Sequence, residues 1–127
     1  MDLPNLNLPD YKFELKRKDN RLYINCIVRN RLLVLTPEEW VRQNFIAYLI
    51  SEKNVPKSLI AVEKQILVNG LTKRFDILVF DNKGISQVLI ECKAHTIPLN
   101  QEVFNQVSAY NLALKVPYLF ITNGFKH

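Results

Sequence analysis

Three short apolar runs joined by turn-forming residues fill the middle of the chain and restrict its fold more than any other feature. The runs read LIAVEKQILV, KRFDILVF and SQVLIECKA, and the turns between them are Asn69-Gly70 and Asp81-Asn82-Lys83-Gly84. Asn-Gly and short segments that contain Asp and Gly are typical of β-hairpin turns. The middle of the chain is therefore predicted to form three consecutive antiparallel strands.

Helical patterns flank these strands on both sides. The segment TPEE at residues 36–39 is typical of a helix start, with Thr as the N-cap and Pro at the first helical position, and apolar residues then recur at helical spacing to about residue 53. A second helical pattern covers about residues 100–115, and the run YLFIT follows it. The predicted fold class is α/β, of the α+β kind, in the order helix, three-stranded meander, helix and strand.

A β-rich extension precedes this predicted core. Residues 1–10 should be an extended lead-in, and YKFEL, LYINCIVR and LLVL after them have the pattern of strands. Basic residues concentrate there, including Lys16, Arg17 and Lys18, and the chain has a formal net charge of +5. This basic extension is either a solvated hairpin face or a surface that follows a phosphate backbone.

Length and cysteine content exclude several classes of protein. A chain of 127 residues is long enough for one domain with its own core, so we expect a single domain over residues 1–127. The two cysteines, Cys26 and Cys92, lack the spacing of a zinc site or of a disulfide framework. No secretion signal and no membrane-spanning stretch is visible, which predicts a cytoplasmic protein without a membrane partner.

A charged trio interrupts the two strands of the second hairpin. Asp76 lies in KRFDILVF, and Glu91 and Lys93 lie two residues apart in SQVLIECKA, on one face of that strand. Pairing across the turn should set Ile77 opposite Leu89, which leaves Asp76 about one pair from Glu91. Two carboxylates in apolar surroundings are typical of a site for a hard divalent ion such as Mg²⁺, and a nearby lysine can activate a water molecule.

The ordered set Asp76, Glu91-Cys92-Lys93 and Gln106-x-x-x-Tyr110 resembles the PD-(D/E)xK nuclease superfamily. The segments LTPEEWVRQNFIAYL, KRFDILVFD, LIECKA and ITNG are similar, more narrowly, to the N-terminal nuclease domain of type I restriction enzyme R subunits and to small stand-alone relatives. The similarity covers about residues 26–124 and implies a restriction-endonuclease-like core. Relatives normally continue with another strand, so truncation at the C-terminus is expected.

The resemblance implies roles for these residues. Asp76 and Glu91 would bind the catalytic Mg²⁺, with Mn²⁺ as a substitute, and Lys93 would position the attacking water. Gln106 would hold the lysine or the scissile phosphate, whereas the apolar stripe around Tyr110 favours core packing for that residue. The implied partners are DNA, a second copy of the chain in a homodimer, and separate motor or specificity subunits. The residues expected to contact nucleic acid are Lys16, Arg17, Lys18, Arg74 and Tyr110.

The related families also carry an acid on the first helix, and here Glu38 or Glu39 would fill that role. Glu38 lies three and seven residues before Val41 and Phe45, so it shares the core-facing stripe and is preferred. Glu39 is the third helical residue, where a capping-box role accounts for it. Glu63, in the first strand of the meander, is a further candidate, and its alternative role is a cross-strand pair with a basic residue.

Three functional hypotheses remain open from the sequence. The first is a metal-dependent nuclease that hydrolyses DNA, probed by loss of divalent-ion binding in an Asp76 variant. The second is a non-catalytic nucleic-acid-binding or assembly module that keeps the fold and uses its basic hairpin. The third is an unrelated α/β protein in which Lys93 and Arg74 neutralise the two acids in a purely structural cluster.

Overall fold

The described residues form two sheets with seven strands in all, two α-helices and a short 3-10 helix at Lys57–Leu59. The computed structural model describes residues 3–68 and 70–127, and it leaves the side chains of residues 66, 68, 71, 73 and 110–114 outside that description. The elements are β1 Leu15–Lys18, β2 Arg21–Asn25, β3 Leu32–Val34, α1 Pro37–Ser51, β4 Ile60–Val68, β5 Leu71–Phe80, β6 Ser86–Cys92, α2 Gln101–Leu114 and β7 Tyr118–Thr122.

The larger sheet has the order β4-β5-β6-β7. The first three strands form an antiparallel meander, and α2 then crosses over so that β7 lies parallel to β6. The mixed α/β class and the order helix, three strands, helix and strand are therefore confirmed. Within the described residues, neither helix has the length and apolar character needed to cross a lipid bilayer.

The N-terminal residues form the smaller antiparallel sheet β1-β2-β3, with two departures from the predicted strands. The segment YKFEL contributes only its last residue to β1, and the strand instead continues into LKRK. The strand β2 ends at Asn25, because residues 26–29 turn and the N–H of Asn30 donates to the carbonyl of Cys26. The turn between β1 and β2 has left-handed backbone at Asp19 and Asn20, which suits a two-residue hairpin.

Helix α1 is covered on more than one side. Its apolar residues Val41, Phe45 and Leu49 pack on β5 and β6 of the larger sheet, and Ile27 and Val28 of the N-terminal extension pack against the same cluster. As a result every residue from Val41 to Ala47 is buried, including the polar ones. The helix therefore has polar side chains inside the protein, and these need partners there.

The extended lead-in is tied to the turn that follows β7. The N–H of Asn7 donates to the carbonyl of Gly124 at 2.7 Å, and Leu6 lies against the same glycine. Gly124 has a φ of +89°, and a Cβ built on it would lie 2.7 Å from Leu6 Cδ2. Glycine is needed here both for the backbone conformation and for the close approach.

We expect Gly124→Ala to lower the free energy of unfolding by about 1–3 kcal/mol, because it combines a left-handed backbone with a steric clash. Gly84→Ala is the matched control, since Gly84 has a φ of +79° and nothing within 4 Å of the added Cβ. Urea unfolding of both variants separates the clash from the backbone strain. Equal losses in the two variants would show that Leu6 moves aside without cost.

Candidate active site

The two strands that carry the charged trio pair one residue away from the predicted register. Ile77 stands opposite Ile90, so the predicted partner Leu89 is wrong by one position. The cause is an irregularity near the turn end of the β5–β6 ladder, where the register shifts by one residue. Continuing the observed register by one pair brings Asp76 directly opposite Glu91.

The side-chain alternation of β5 breaks at Asp76. Ile77 packs in the cluster beneath α1, whereas Phe75 packs with Leu78 in the cluster on the other face of the sheet. Residues two apart normally share a face, so the strand is locally deformed between them. On β4, Glu63 lies between the residues that pair with Phe75 and Ile77, and it has a φ of +51°. Strained backbone of this kind clusters at functional sites.

Both carboxylate oxygens of Asp76 have a close partner. Its Oδ1 accepts a hydrogen bond from Nη2 of Arg42 at 2.8 Å, and its Oδ2 accepts one from the backbone N–H of Cys92 at 2.8 Å. The side chain is 13% exposed. Asp76 thus lies in the interior of β5, anchored at once to α1 and to β6.

The surroundings of Glu91 favour its protonated form. Burial, the Asp76 charge and a hydrogen bond to Asp76 raise the pKa of Glu91 to about 8. Lys93 acts in the opposite direction and does not overcome these effects. Two neighbouring carboxylates that cannot both ionise are an electrostatic mark of a shared site for a proton or a cation.

Glu38 and Lys93 complete the group around the two acids. Burial and the Asp76 charge raise the pKa of Glu38, and the charges of Arg42 and Lys93 oppose that rise. The Lys93 ammonium therefore lies near both Glu38 and Glu91, and its backbone N–H donates to the carbonyl of Thr122 at the end of β7. Within the described residues, no carboxylate forms an ion pair with Lys93.

Glu39 has a different position from the one expected of a capping residue. Its backbone N–H does donate to Oγ1 of Thr36, so the N-cap is confirmed. The Glu39 carboxylate, however, accepts from Arg42 at 2.6 Å and from Gln43 at 2.9 Å inside the protein. The capping-box role was wrong for this side chain, since buried donors on its own helix bind it instead. Glu38 is the more exposed of the two acids, with 49% of its side chain accessible.

Arg42 is the residue at this site that sequence reasoning missed. Its guanidinium is 7% exposed and forms ion pairs with four carboxylates, which we call the Arg42 cluster: Glu38, Glu39, Glu63 and Asp76. The available signal was its spacing, since Arg42 follows Glu38 and Glu39 by four and three residues on one helical face. Burial opposes its charge, yet the surrounding acids raise the pKa of Arg42 further.

Glu63 belongs to the same cluster and also pairs with two other arginines. Its Oε1 accepts from Arg29 at 2.8 Å, and Arg74 lies 3.6 Å from its Oε2. Burial raises the pKa of Glu63, but the Arg29 hydrogen bond and the charges of Arg42, Arg29 and Arg74 outweigh it and lower the pKa. The predicted pairing of Glu63 with a basic residue is confirmed, and Arg74 is occupied by Glu63 rather than by the trio.

The remaining candidates lie apart from this group or outside the description. Gln106 is exposed on α2, and its side chain forms no hydrogen bond within the part of the chain that the structure describes. The side chain of Tyr110 lies outside the described residues. Lys16, Arg17 and Lys18 are exposed along β1 in the smaller sheet. The structure therefore brings together Asp76, Glu91, Lys93 and Glu38, and it does not bring Gln106 into contact with them.

The site offers few side-chain ligands for a metal ion. Among the described residues, no group of three or more His, Cys, Asp or Glu side chains is arranged to hold a metal ion. Mg²⁺ is commonly bound through only one or two carboxylates, with water and phosphate oxygens completing the octahedron. The pair Asp76 and Glu91 fits that chemistry, because a cation between them would relieve the charge repulsion that raises the pKa of Glu91.

Fold and site together define a mixed α/β protein with a carboxylate and lysine site on adjacent strands of its larger sheet. The family described as type I restriction enzyme R protein N terminus matches residues 37–127, from the start of α1 onward. The chain therefore belongs to that family, which indicates a role related to restriction. No curated protein and no solved structure matches the chain. The smaller sheet lies outside the matched residues.

We expect the metal-free protein to lose stability as the pH rises from about 4.5 to about 8, the interval over which the pKa of Glu91 is raised. The folded protein keeps this proton in that interval while the unfolded chain releases it, so each increase in pH favours unfolding. Urea unfolding with a chelator present, at a series of pH values, measures the effect.

Glu91→Gln is the control for this titration, because the amide cannot release the proton. The variant should show a weaker fall in stability between the two pH values than the unchanged protein. Parallel pH profiles for the two proteins would show that Glu91 titrates at its ordinary pKa.

Proposed function

We propose that this chain is a divalent-metal-dependent nuclease domain that hydrolyses DNA phosphodiester bonds, with a core of the restriction-endonuclease type. The observation that carries the proposal is the contact between Asp76 and Glu91 across β5 and β6, with the Lys93 ammonium beside them. Family membership supports the DNA substrate and other subunits as partners. We also propose that cleavage of both strands uses two copies of the chain.

Asp76 and Glu91 would hold Mg²⁺, with Mn²⁺ as a substitute. When bound, the ion supplies Lewis-acid polarisation of the phosphate and lowers the pKa of a water molecule. Glu91 would bind the ion in its deprotonated form, and Asp76 would stay oriented by its hydrogen bond from the N–H of Cys92. Glu38, half-exposed at the start of α1, lines the site as the additional acid.

Lys93 is proposed to position the attacking water and to offset charge on the phosphate. Its ammonium lies near Glu38 and Glu91 and is held by no carboxylate ion pair in the described chain, so it is available to a substrate. Its backbone is fixed to β7 through Thr122, which limits where the side chain can reach. Gln106, exposed on α2, is proposed to contact the scissile phosphate or the lysine once DNA is bound.

We expect Asp76→Asn to abolish Mn²⁺ binding measured by calorimetry and nicking of supercoiled DNA measured on gels. Lys93→Met should keep Mn²⁺ affinity within about twofold but lower the nicking rate by roughly 10²–10⁴-fold, the usual contribution of a proton-transfer group. Circular dichroism melting should first show that each variant is folded.

Asp10→Asn is the matched control, since it makes the same chemical change at an exposed residue of the lead-in. It should bind Mn²⁺ and nick DNA like the unchanged protein. Failure of the unchanged protein to bind Mn²⁺ or Mg²⁺ would overturn the metal-dependent proposal. Binding that survives in Asp76→Asn would place the ion elsewhere.

A second candidate function is nucleic-acid binding through the basic hairpin, independent of catalysis. Its support is that all four residues of β1 are exposed and three of them are basic: Lys16, Arg17 and Lys18. We also propose that Arg74, with 60% of its side chain exposed, adds to this contact. A solvated hairpin needs no ligand, so the test must measure DNA affinity directly.

We expect the combined change of Lys16, Arg17 and Lys18 to Gln to weaken DNA binding. The slope of log K against log salt should also become shallower, by about 0.9 for each phosphate that the hairpin no longer neutralises. Fluorescence anisotropy at several salt concentrations, with chelator present, measures both quantities.

Changing Lys57, Lys64 and Lys83 to Gln removes the same charge elsewhere on the surface and serves as the control for the hairpin variant. This control should bind DNA more tightly than the hairpin variant does. Equal effects of the two triple variants would show that only net charge matters.

A further inference from the structure

We propose that Arg42 is a positioning residue of this site: its buried guanidinium fixes the Asp76 carboxylate in the orientation that a metal ion requires. This inference rests on the proposed function only in taking Asp76 as a metal ligand. Neither family membership nor the sequence motif assigns a role to Arg42.

The geometry ties Arg42 to the site through a single nitrogen. Its Nη2 donates to Asp76 Oδ1 at 2.8 Å and to Glu38 Oε1 at 3.0 Å, and so it bridges the strand acid and the helix acid. Its other terminal nitrogen, Nη1, donates to Glu39 at 2.6 Å and lies 3.5 Å from Glu63. Nη2 thus faces Asp76, the proposed metal ligand, and Nη1 faces Glu39 and Glu63, which are not proposed as metal ligands.

The planar guanidinium explains why arginine is suited to this position. Donors in a rigid fork hold two groups of carboxylates at fixed angles, which a lysine ammonium cannot do. The Glu39 carboxylate, itself held by Gln43, fixes the far half of the fork. Gln43 is fully buried and accepts from the N–H of Ile27, so the N-terminal extension braces this chain of contacts.

A second acid on the neighbouring strand makes a positively charged partner such as Arg42 favourable for Asp76. Asp76 and Glu63 lie between the same two residue pairs of the β4–β5 ladder, and like charges across a ladder destabilise a sheet. Glu63 also has a left-handed backbone, with a φ of +51°. Arg42 reaches both carboxylates, so it holds together a strand pair whose acids would otherwise repel each other.

Replacing Arg42 changes metal affinity in opposite directions under the two possible roles, charge neutralisation and positioning of Asp76. If Arg42 only supplied positive charge, removing it would strengthen the attraction of the acids for a divalent ion. If Arg42 orients Asp76, removing it weakens binding, and outer partners of metal ligands typically contribute about 10–100-fold in affinity. We expect the second result.

The test uses Arg42→Gln in the full chain, with Arg29→Gln as the matched control. Arg29 also pairs with Glu63, at 2.8 Å, and its loss changes the net charge equally, but within the described residues it forms no ion pair with Asp76. The first measurement is amide hydrogen exchange of the metal-free proteins by NMR. The amide of Cys92, which donates to Asp76, reports the position of that carboxylate.

Arg42→Gln should reduce protection at Cys92 selectively, while Leu89 in the middle of the same strand keeps its protection. Arg29→Gln should leave both amides unchanged, and Arg42→Lys should restore part of the protection at Cys92. A parallel loss at Cys92 and Leu89, or no loss at either, would overturn the positioning role, because a merely structural arginine stabilises the strand as a whole.

The second measurement is Mn²⁺ titration of the same samples at a temperature where all are folded. Arg42→Gln should bind Mn²⁺ about tenfold or more weakly than the unchanged protein, and Arg29→Gln within about twofold. Equal or tighter binding by Arg42→Gln would contradict positioning. If the unchanged protein bound no Mn²⁺, the nuclease proposal would fail, while the metal-free exchange data would still decide whether Arg42 orients Asp76.

Discussion

A single buried guanidinium governs the electrostatics of this protein. Arg42 pairs with acids from α1, β4 and β5, so the larger sheet and its covering helix are joined by charge as well as by apolar packing. Replacing a buried ion pair as a whole can cost little, but removing one partner leaves uncompensated charges inside. The positions of the four acids in the Arg42 cluster therefore depend on Arg42.

The burial of Arg42 follows from the way α1 is enclosed. The N-terminal extension covers the side of the helix that does not face the larger sheet, through Ile27, Val28 and the N–H that binds Gln43. Without that cover, the polar residues of α1 would be solvated and the ion pairs would be weak. The extension lies outside residues 37–127, which match the family, but it contributes to the environment of α1 within that range.

The element order and the caps followed from local sequence, because turn residues, the Thr36 N-cap and hydrophobic periodicity act over a few residues. The pairing register did not, since a bulge near the β5–β6 turn shifted it by one position. That Asp76, Glu91 and Lys93 lie close together was predicted from their residue types and their spacing. Arg42 and the inward-facing Glu39 were missed, because helical spacing alone does not tell which side of an enclosed helix is polar. The left-handed backbone at Glu63 has no sequence signal, since glutamate is not a residue that favours a positive φ.

The lead-in and the turn after β7 are joined by contacts between residues that are more than a hundred positions apart. Asn7 binds Gly124, and the His127 ring contacts both Thr122 and the carbonyl of Asn7. Contacts of such sequence separation close a very long loop, and the entropy of that closure disfavours their early formation in folding. Contacts that are absent from the folding transition state slow unfolding instead. We therefore infer that the Asn7–Gly124 and Asn7–His127 contacts slow the separation of β7 from β6 in the folded protein.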